Sequence, residues 1–299
     1  MIRLALLLTS FILVSAQAET FLGRWAIEST APAHQVYWLE ITSTSPPSGE
    51  FFGVTGGRLE KLRDATIQDN RLQFRVHRDS PVMEGTADLT LTGDTLSGTI
   101  TSRGNTTAVR GRRSPQIADR DDGSWIESPR TLNLLNEWRS TDGWQITNGV
   151  ISNLSAKSPL LVSKSNFWNF RLRLEYRLPK DGNAGIGLRH HYELQLADDY
   201  GQPPSVHGNA SLYSQIAPAI NASKPPREWQ WIEVTLIGRD LTVTLNNKRV
   251  IDRQPIRGLT GLALDADESK PGPISLQGDH GPVEYRKITI AEMLRPASR

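Results

Sequence analysis

Gly182-Asn183-Ala184-Gly185-Ile186-Gly187-Leu188-Arg189-His190-His191-Tyr192-Glu193-Leu194-Gln195-Leu196-Ala197-Asp198-Asp199 places its large apolar residues at alternate positions. Ile186 and Leu188 form one apolar set and Tyr192, Leu194 and Leu196 another, with Arg189, Glu193 and Gln195 between them. A β-strand sends successive side chains to opposite faces. One face is therefore core, and the other gathers a guanidinium, a carboxylate and a carboxamide, a set suited to a polar, oxygen-rich ligand such as a sugar. By parity, Arg189, Glu193 and Gln195 are expected on one concave sheet surface, with Leu188, Tyr192, Leu194 and Leu196 in the core behind it. A turn at His190-His191 would break the phase between Arg189 and Glu193.

The same alternation extends outward. Phe170 to Leu178 alternates strictly, as a long half-buried strand does. Trp231–Leu236 and Leu241–Leu245 flank a Gly238-Arg239-Asp240 turn, and Asn246-Asn247 makes the next turn before Arg249-Val250-Ile251. Asn tolerates the positive φ that tight hairpins need. Ile274–Leu276 and Val283–Ile290 close the region. About ten short strands in this length suit two stacked antiparallel sheets, a jelly-roll sandwich. An earlier strand-rich region, residues 19–113, has the spacing of a second β domain, a barrel or a sandwich. Between them Ser114–Ser124 (SPQIADRDDGS) lacks alternation and reads as a linker, leaving 125–299 as the second domain.

Met1-Ile2-Arg3, the apolar run Leu4–Val14 and Ala16-Gln17-Ala18 have the pattern of a secretory signal peptide, residues 1–18. A run of roughly 11 apolar residues is too short to cross ~30 Å of hydrocarbon, so the chain is expected to be exported, soluble, and periplasmic or secreted. The chain has no cysteine, which excludes disulfides and thiolate metal sites. Thirty-four Lys and Arg against 32 Asp and Glu leave a net charge of +2, which implies neither a nucleic-acid partner nor a membrane. Calcium needs six to eight oxygens; Asp198-Asp199 and the acidic loop Asp265, Asp267, Glu268 are the nearest approach to such a set, and no metal or cofactor is assigned.

Several elements of the second region occur in a familiar order. Trp144-Gln145-Ile146-Thr147-Asn148-Gly149-Val150-Ile151 is followed by Leu160–Lys164 and Phe167-Trp168-Asn169-Phe170. Gly182-Asn183-Ala184-Gly185-Ile186, Arg189 and Tyr192–Asp198 come next, then Ser211-Leu212-Tyr213 and Glu228-Trp229-Gln230. Gly272–Gly281, containing Leu276-Gln277-Gly278-Asp279-His280, and Val283–Ile288 end the series. This ordered set resembles the 3-keto-disaccharide hydrolase domain family of concanavalin-like sandwiches, over about residues 130–293. Ala184 stands where that family usually has serine, and the link between Arg189 and Tyr192 is shorter than is common in it.

The resemblance implies a hydrolase that cleaves glycosides already oxidised to a ketone at sugar carbon 3. The ketone acidifies the proton on carbon 2; its removal permits loss of the anomeric leaving group, and water then adds to the enone. That chemistry asks for a base, a donor to the enolate oxygen and an acid for the departing oxygen. Glu193 is the first candidate for acid/base work, and Arg189 or His191 for polarising the ketone. Gln195 sits about 7 Å along the strand from Glu193. Asp198, Tyr213, Lys164, Gln277 and His280 complete the expected substrate-binding set. A conventional retaining glycosidase needs two carboxylates about 5–5.5 Å apart, and at the next position on Glu193's face stands the carboxamide of Gln195. The rival reading is a non-catalytic, lectin-like carbohydrate-binding protein, since sandwiches host both.

Overall fold

The structure, a computed structural model, describes residues 21–30, 34–53, 58–76, 84–117, 126–132 and 135–294. The expected signal peptide and residues 118–124 of the expected linker lie outside the described residues. The chain divides into two compact units, one holding Met1–Pro115 and Leu264–Asp267, the other Gln116–Ala263 and Glu268–Arg299. Every strand pairing in both is antiparallel, and no α-helix occurs among the described residues.

In the first unit nine strands follow one another: Gly23–Ser29 (β1), Val36–Thr44 (β2), Pro47–Phe52 (β3), Leu59–Lys61 (β4), Arg63–Gln68 (β5), Arg71–Val76 (β6), Gly85–Thr92 (β7), Thr95–Ser102 (β8) and Asn105–Arg113 (β9). Their order in the sheet is β4-β3-β2-β1-β9-β8-β7-β6-β5. The two end strands, β4 and β5, are separated by Leu62 alone, so the sheet closes on itself as an up-and-down barrel. Inward-facing Trp25, Ile27, Leu39, Phe51, Leu72, Phe74, Leu89 and Leu96 fill it, as eight to nine strands allow. The Trp25 indole donates to the Phe21 carbonyl at 2.9 Å, and the Arg113 guanidinium lies 3.9 Å from its ring centroid.

The second unit contains Ile126–Thr131 (β10), Trp144–Thr147 (β11), Val150–Asn153 (β12), Ser158–Phe167 (β13), Phe170–Arg177 (β14), Asn183–Leu188 (β15), Tyr192–Ala197 (β16), Gln230–Ile237 (β17), Asp240–Leu245 (β18), Lys248–Pro255 (β19), Gly272–Gly278 (β20) and Glu284–Leu294 (β21). One sheet runs β11-β12-β21-β14-β17-β18-β19, with β10 also paired to β21; the other runs β13-β20-β15-β16. Each buries the face its alternation dictates. Phe170, Leu172, Leu174 and Tyr176 of β14 and Ile232, Val234 and Leu236 of β17 meet Ile186, Leu188, Tyr192, Leu194, Leu196, Ile274 and Leu276 in one core. This is the concanavalin-like antiparallel sandwich.

On the outer face of the larger sheet the polar positions pair across strands: Arg173 with Glu233, Arg177 with Glu284, and Arg286 with Glu175. Exposed pairs of this kind contribute about 0–1 kcal/mol each; burial of the opposite face supplies the larger share of stability.

Candidate functional site

The smaller sheet has one face in the core and one facing away from it. In β16 that second face carries Glu193 and Gln195, while Tyr192, Leu194 and Leu196 are wholly buried behind them. The register pairs Gly187 with Glu193 and Gly185 with Gln195, and Gly187 with Ser275 of β20. Continuing that register sets Gln277 beside Gly185. The result is a polar patch, Asn183, Glu193, Gln195, Ser275 and Gln277, floored by two glycines. Side chains there would fill it: a Cβ on Gly185 would lie 2.7 Å from Glu193 Oε1 and 3.2 Å from Gln277 Oε1, and one on Gly187 would collide with Ser275 Oγ. Gln195 Nε2 donates to Asn183 Oδ1 at 2.9 Å, which fixes the amide plane.

Two further segments wall this patch. Residues 210–213 run beside β16: Ala210 N–H donates to the Gln195 carbonyl, Gln195 N–H to the Ser211 carbonyl, and Tyr213 N–H to the Glu193 carbonyl. They bring the Tyr213 ring alongside, and His207 packs edge-on against that ring at 5.0 Å. The second segment, around Thr260-Gly261, is strapped to the strand by the Thr260 hydroxyl, which accepts from Glu193 N–H, and by Thr260 N–H on the His191 carbonyl. Gly261 then caps the carboxyl. A Cβ there would lie 2.8 Å from Glu193 Cδ and 3.3 Å from Tyr213 Cδ1, so both side chains border one point.

Glu193 is only 6 % exposed. Burial, and secondarily the nearby Asp279 carboxylate, push its pKa up from 4.5 to about 8. Asp279 belongs to the turn after β20, two residues beyond Gln277, and its Oδ1 holds His280 Nδ1 at 2.7 Å. The site therefore contains a buried carboxyl whose proton is lost only near pH 8, beside the amides of Gln195 and Gln277 and with the Asp279 carboxylate nearby. Such a group both accepts and donates a proton, and perturbed carboxyls of this kind concentrate at functional sites.

The remaining expected residues fall as follows. Arg189 does not share the Glu193 face. The hairpin turns at Arg189-His190, whose φ values are +59° and +60°, with His191 N–H closing onto the Leu188 carbonyl. This type I′ geometry takes Arg189 out of strand phase. Its guanidinium is wholly buried, donates to the Gly238 carbonyl at 2.8 Å, and lies 4.2 Å from the Trp168 ring centroid. Burial lowers its pKa to about 10, against the favourable charge of Glu268 and with the opposing charge of Arg239. Glu268 in turn accepts from the Tyr192 hydroxyl at 2.8 Å and from Arg239 at 3.2 Å. Arg189 thus joins a buried ionic network behind the sheet. His191 is buried at the start of β16, its ring edge-on to Tyr192. Asp198 caps the strand end, accepting from Asp181 N–H at 2.9 Å. Lys164 is exposed at an irregularity of β13.

The sequence reading missed Thr260, Gly261, Asn183, Ser275 and Asp279. Gly185 and Gly187 do carry a local signal, since both share the parity of Glu193; Thr260 and Gly261 come from a distant loop with no strand pattern of their own. A separate cavity of 430 Å³ is lined by Arg177, Arg227, Pro282, Val283 and Glu284, among others, and by none of the expected residues. Among the described residues no three or more of His, Asp and Glu gather as a metal set would, and no helix is long and apolar enough to cross a membrane.

Known proteins place this arrangement in a family. The 3-keto-alpha-glucoside-1,2-lyase-like domain matches residues 132–291. Two solved structures from Parabacteroides distasonis, provisionally named glycosyl hydrolases, are similar to the chain. One has 27 % identity and a TM-score of 0.46, covering 52 % of this chain and 78 % of its own. The other has 22 % identity and a TM-score of 0.46, covering 55 % and 99 %. No curated protein matches. The match spans more than half of the chain, which belongs to the carbohydrate-acting family of 3-keto-alpha-glucoside-1,2-lyase-like domains.

Proposed function

We propose that the second unit cleaves 3-keto glycosides by elimination and hydration, with Glu193 as the proton-transferring group, after export from the cytoplasm. The observation carrying this reading is the Glu193 carboxyl itself: buried under Gly261, raised to about 8, and bordered by Tyr213 and Gln277. A base near carbon 2 removes a weakly acidic proton, and a carboxylate whose pKa has been raised is a stronger base for that step. The C2–H electron pair forms the enolate, whose oxygen takes a hydrogen bond from an amide of the Gln195–Gln277 pair. The C1–O bond then breaks, and the leaving oxygen takes a proton from an acid at the site's edge, where His280 and Tyr213 stand. Water adds across the resulting C1=C2 double bond, its hydroxyl to carbon 1 and its proton to carbon 2.

The test is incubation with a 3-keto disaccharide and with its unoxidised parent. The elimination reading requires cleavage of the keto form alone. Cleavage of both indicates an ordinary glycosidase, and binding without turnover of either indicates a lectin. Glu193→Gln keeps shape and hydrogen bonding but exchanges no proton, and a positioned acid/base contributes typically 100- to 10,000-fold in rate.

A further inference from the structure

We propose that Asn153 is a positioning residue for this site: one carboxamide, reaching from the larger sheet, clamps both ends of the turn that carries Asp279 and His280. The inference rests on the reading of Glu193 as the reacting carboxyl. Asn153 Nδ2 shares its two N–H groups among the Gly278 carbonyl at 2.9 Å and the Gly281 carbonyl at 2.8 Å, the residues flanking Asp279-His280, and the Ser155 carbonyl at 2.8 Å. Its Oδ1 accepts from Val283 N–H at 2.9 Å. A single side chain thus bridges the end of β20 in one sheet and the approach to β21 in the other. Asp279 and His280 themselves are half exposed and bonded to each other, and besides Asn153 the Tyr285 hydroxyl donates to the Gln277 carbonyl at 3.2 Å at the foot of the turn.

The turn matters because of where it begins. Gln277 borders the same point over Gly185 as Glu193 does, and Asp279 follows two residues later. The titratable groups facing Glu193 are Asp279, with His280 behind it, from this turn, and Tyr213, with His207 behind it, from the segment beside β16. Releasing the turn moves the first pair and leaves the second. Asn153 acts through Asp279 and His280, and touches neither Glu193 nor the space above it.

The experiment compares the parent, Asn153→Ala, Asp279→Asn and the double variant, by the carbon-13 NMR titration of the Glu193 carboxyl and by kcat and KM on a 3-keto disaccharide. Asn153→Ala is expected to lower the Glu193 titration midpoint, as Asp279→Asn does, and the double variant to lower it no further. With the turn displaced by about 1 Å, kcat falls roughly 10- to 100-fold while KM changes little. Asn153→Ser, which keeps one donor, restores part of the midpoint. If Asn153→Ala leaves the midpoint at the parental value while Asp279→Asn moves it, or if the two shifts add in full, the proposal is overturned. The titration needs no substrate, so a parent that turns over no keto sugar sinks the functional reading without deciding this one.

Discussion

Gly261→Ala gives the most direct test of the site's geometry. Gly261 lies in an exposed loop and its φ is not in the left-handed region, so the backbone accepts alanine there. The obstacle is the carboxyl of Glu193. The new methyl would lie 2.8 Å from Glu193 Cδ, against an ordinary contact of 3.4–4 Å, and nearer still to Oε2. Either the loop lifts or the carboxyl swings by about 1 Å, a displacement that costs on the order of 100-fold in rate at a reacting group. Overpacking of this size destabilises by roughly 1–3 kcal/mol. Glu193→Ala deletes the colliding atoms, so in that background the Gly261→Ala methyl meets little. Urea unfolding of the parent, both single variants and the double variant measures the coupling, expected at about 1 kcal/mol or more. Additivity within about 0.5 kcal/mol, together with parental turnover by Gly261→Ala, would refute the placement of Gly261 over the carboxyl.

Glu193 also makes stability depend on pH. The native carboxyl keeps its proton up to about 8, whereas the unfolded chain releases it near 4.5, so the native state binds the extra proton between those values. Its contribution is full below about 4.5 and is lost as pH rises through 8; Glu193→Gln should flatten this slope in melts from pH 5 to 9 and be more stable than the parent at the alkaline end. If Glu193 acts as the base, kcat/KM rises with pH to a midpoint near 8, and a profile flat from pH 6 to 9 excludes that role. Leu194→Gln buries an unpaired amide in the sandwich core and should cost roughly 1–3 kcal/mol by chemical denaturation, with Leu194 wholly buried in the parent. Limited proteolysis is expected to cut within Ser114–Ser124 and leave two resistant fragments; cleavage spread evenly along the chain counts against a linker there. Intact mass of the exported protein should show a start near Glu19, and a mass retaining Met1–Ala18 contradicts a signal peptide.

The residues that were legible in the sequence are those whose position follows from strand parity. Leu188, Tyr192, Leu194 and Leu196 are all wholly buried, and Glu193 and Gln195 share the opposite face, because alternation along one strand is a local property. Arg189 was misplaced by the same logic carried one residue too far. The turn begins at Arg189, one residue before the His190-His191 turn the sequence suggested, where two successive positive φ values reverse the chain, and arginine does not advertise that conformation as glycine or asparagine does. Asp198 satisfies a backbone N–H at the strand end, a common use of an aspartate beside a turn. Thr260, Gly261 and Asp279 reach Glu193 from loops distant in sequence, and only the tertiary fold reveals them.

The position of β21 bears on how the second unit is made. It is the last strand of that unit in the chain, yet it lies inside the sheet, bonded to β12, β14 and β10. A polypeptide emerging from a ribosome or threading through an export channel would therefore hold β10, β12 and β14 without this partner until residues beyond Glu284 arrive. The first barrel is under no such delay, because β9 completes it before any of the second unit has appeared. Vectorial synthesis should thus yield a closed first unit early and a protease-sensitive second one until the final strand slots in. Chains stalled or clipped before β21 would expose the apolar inner faces of half a sandwich, which makes the intactness of that late segment the checkpoint for the second unit.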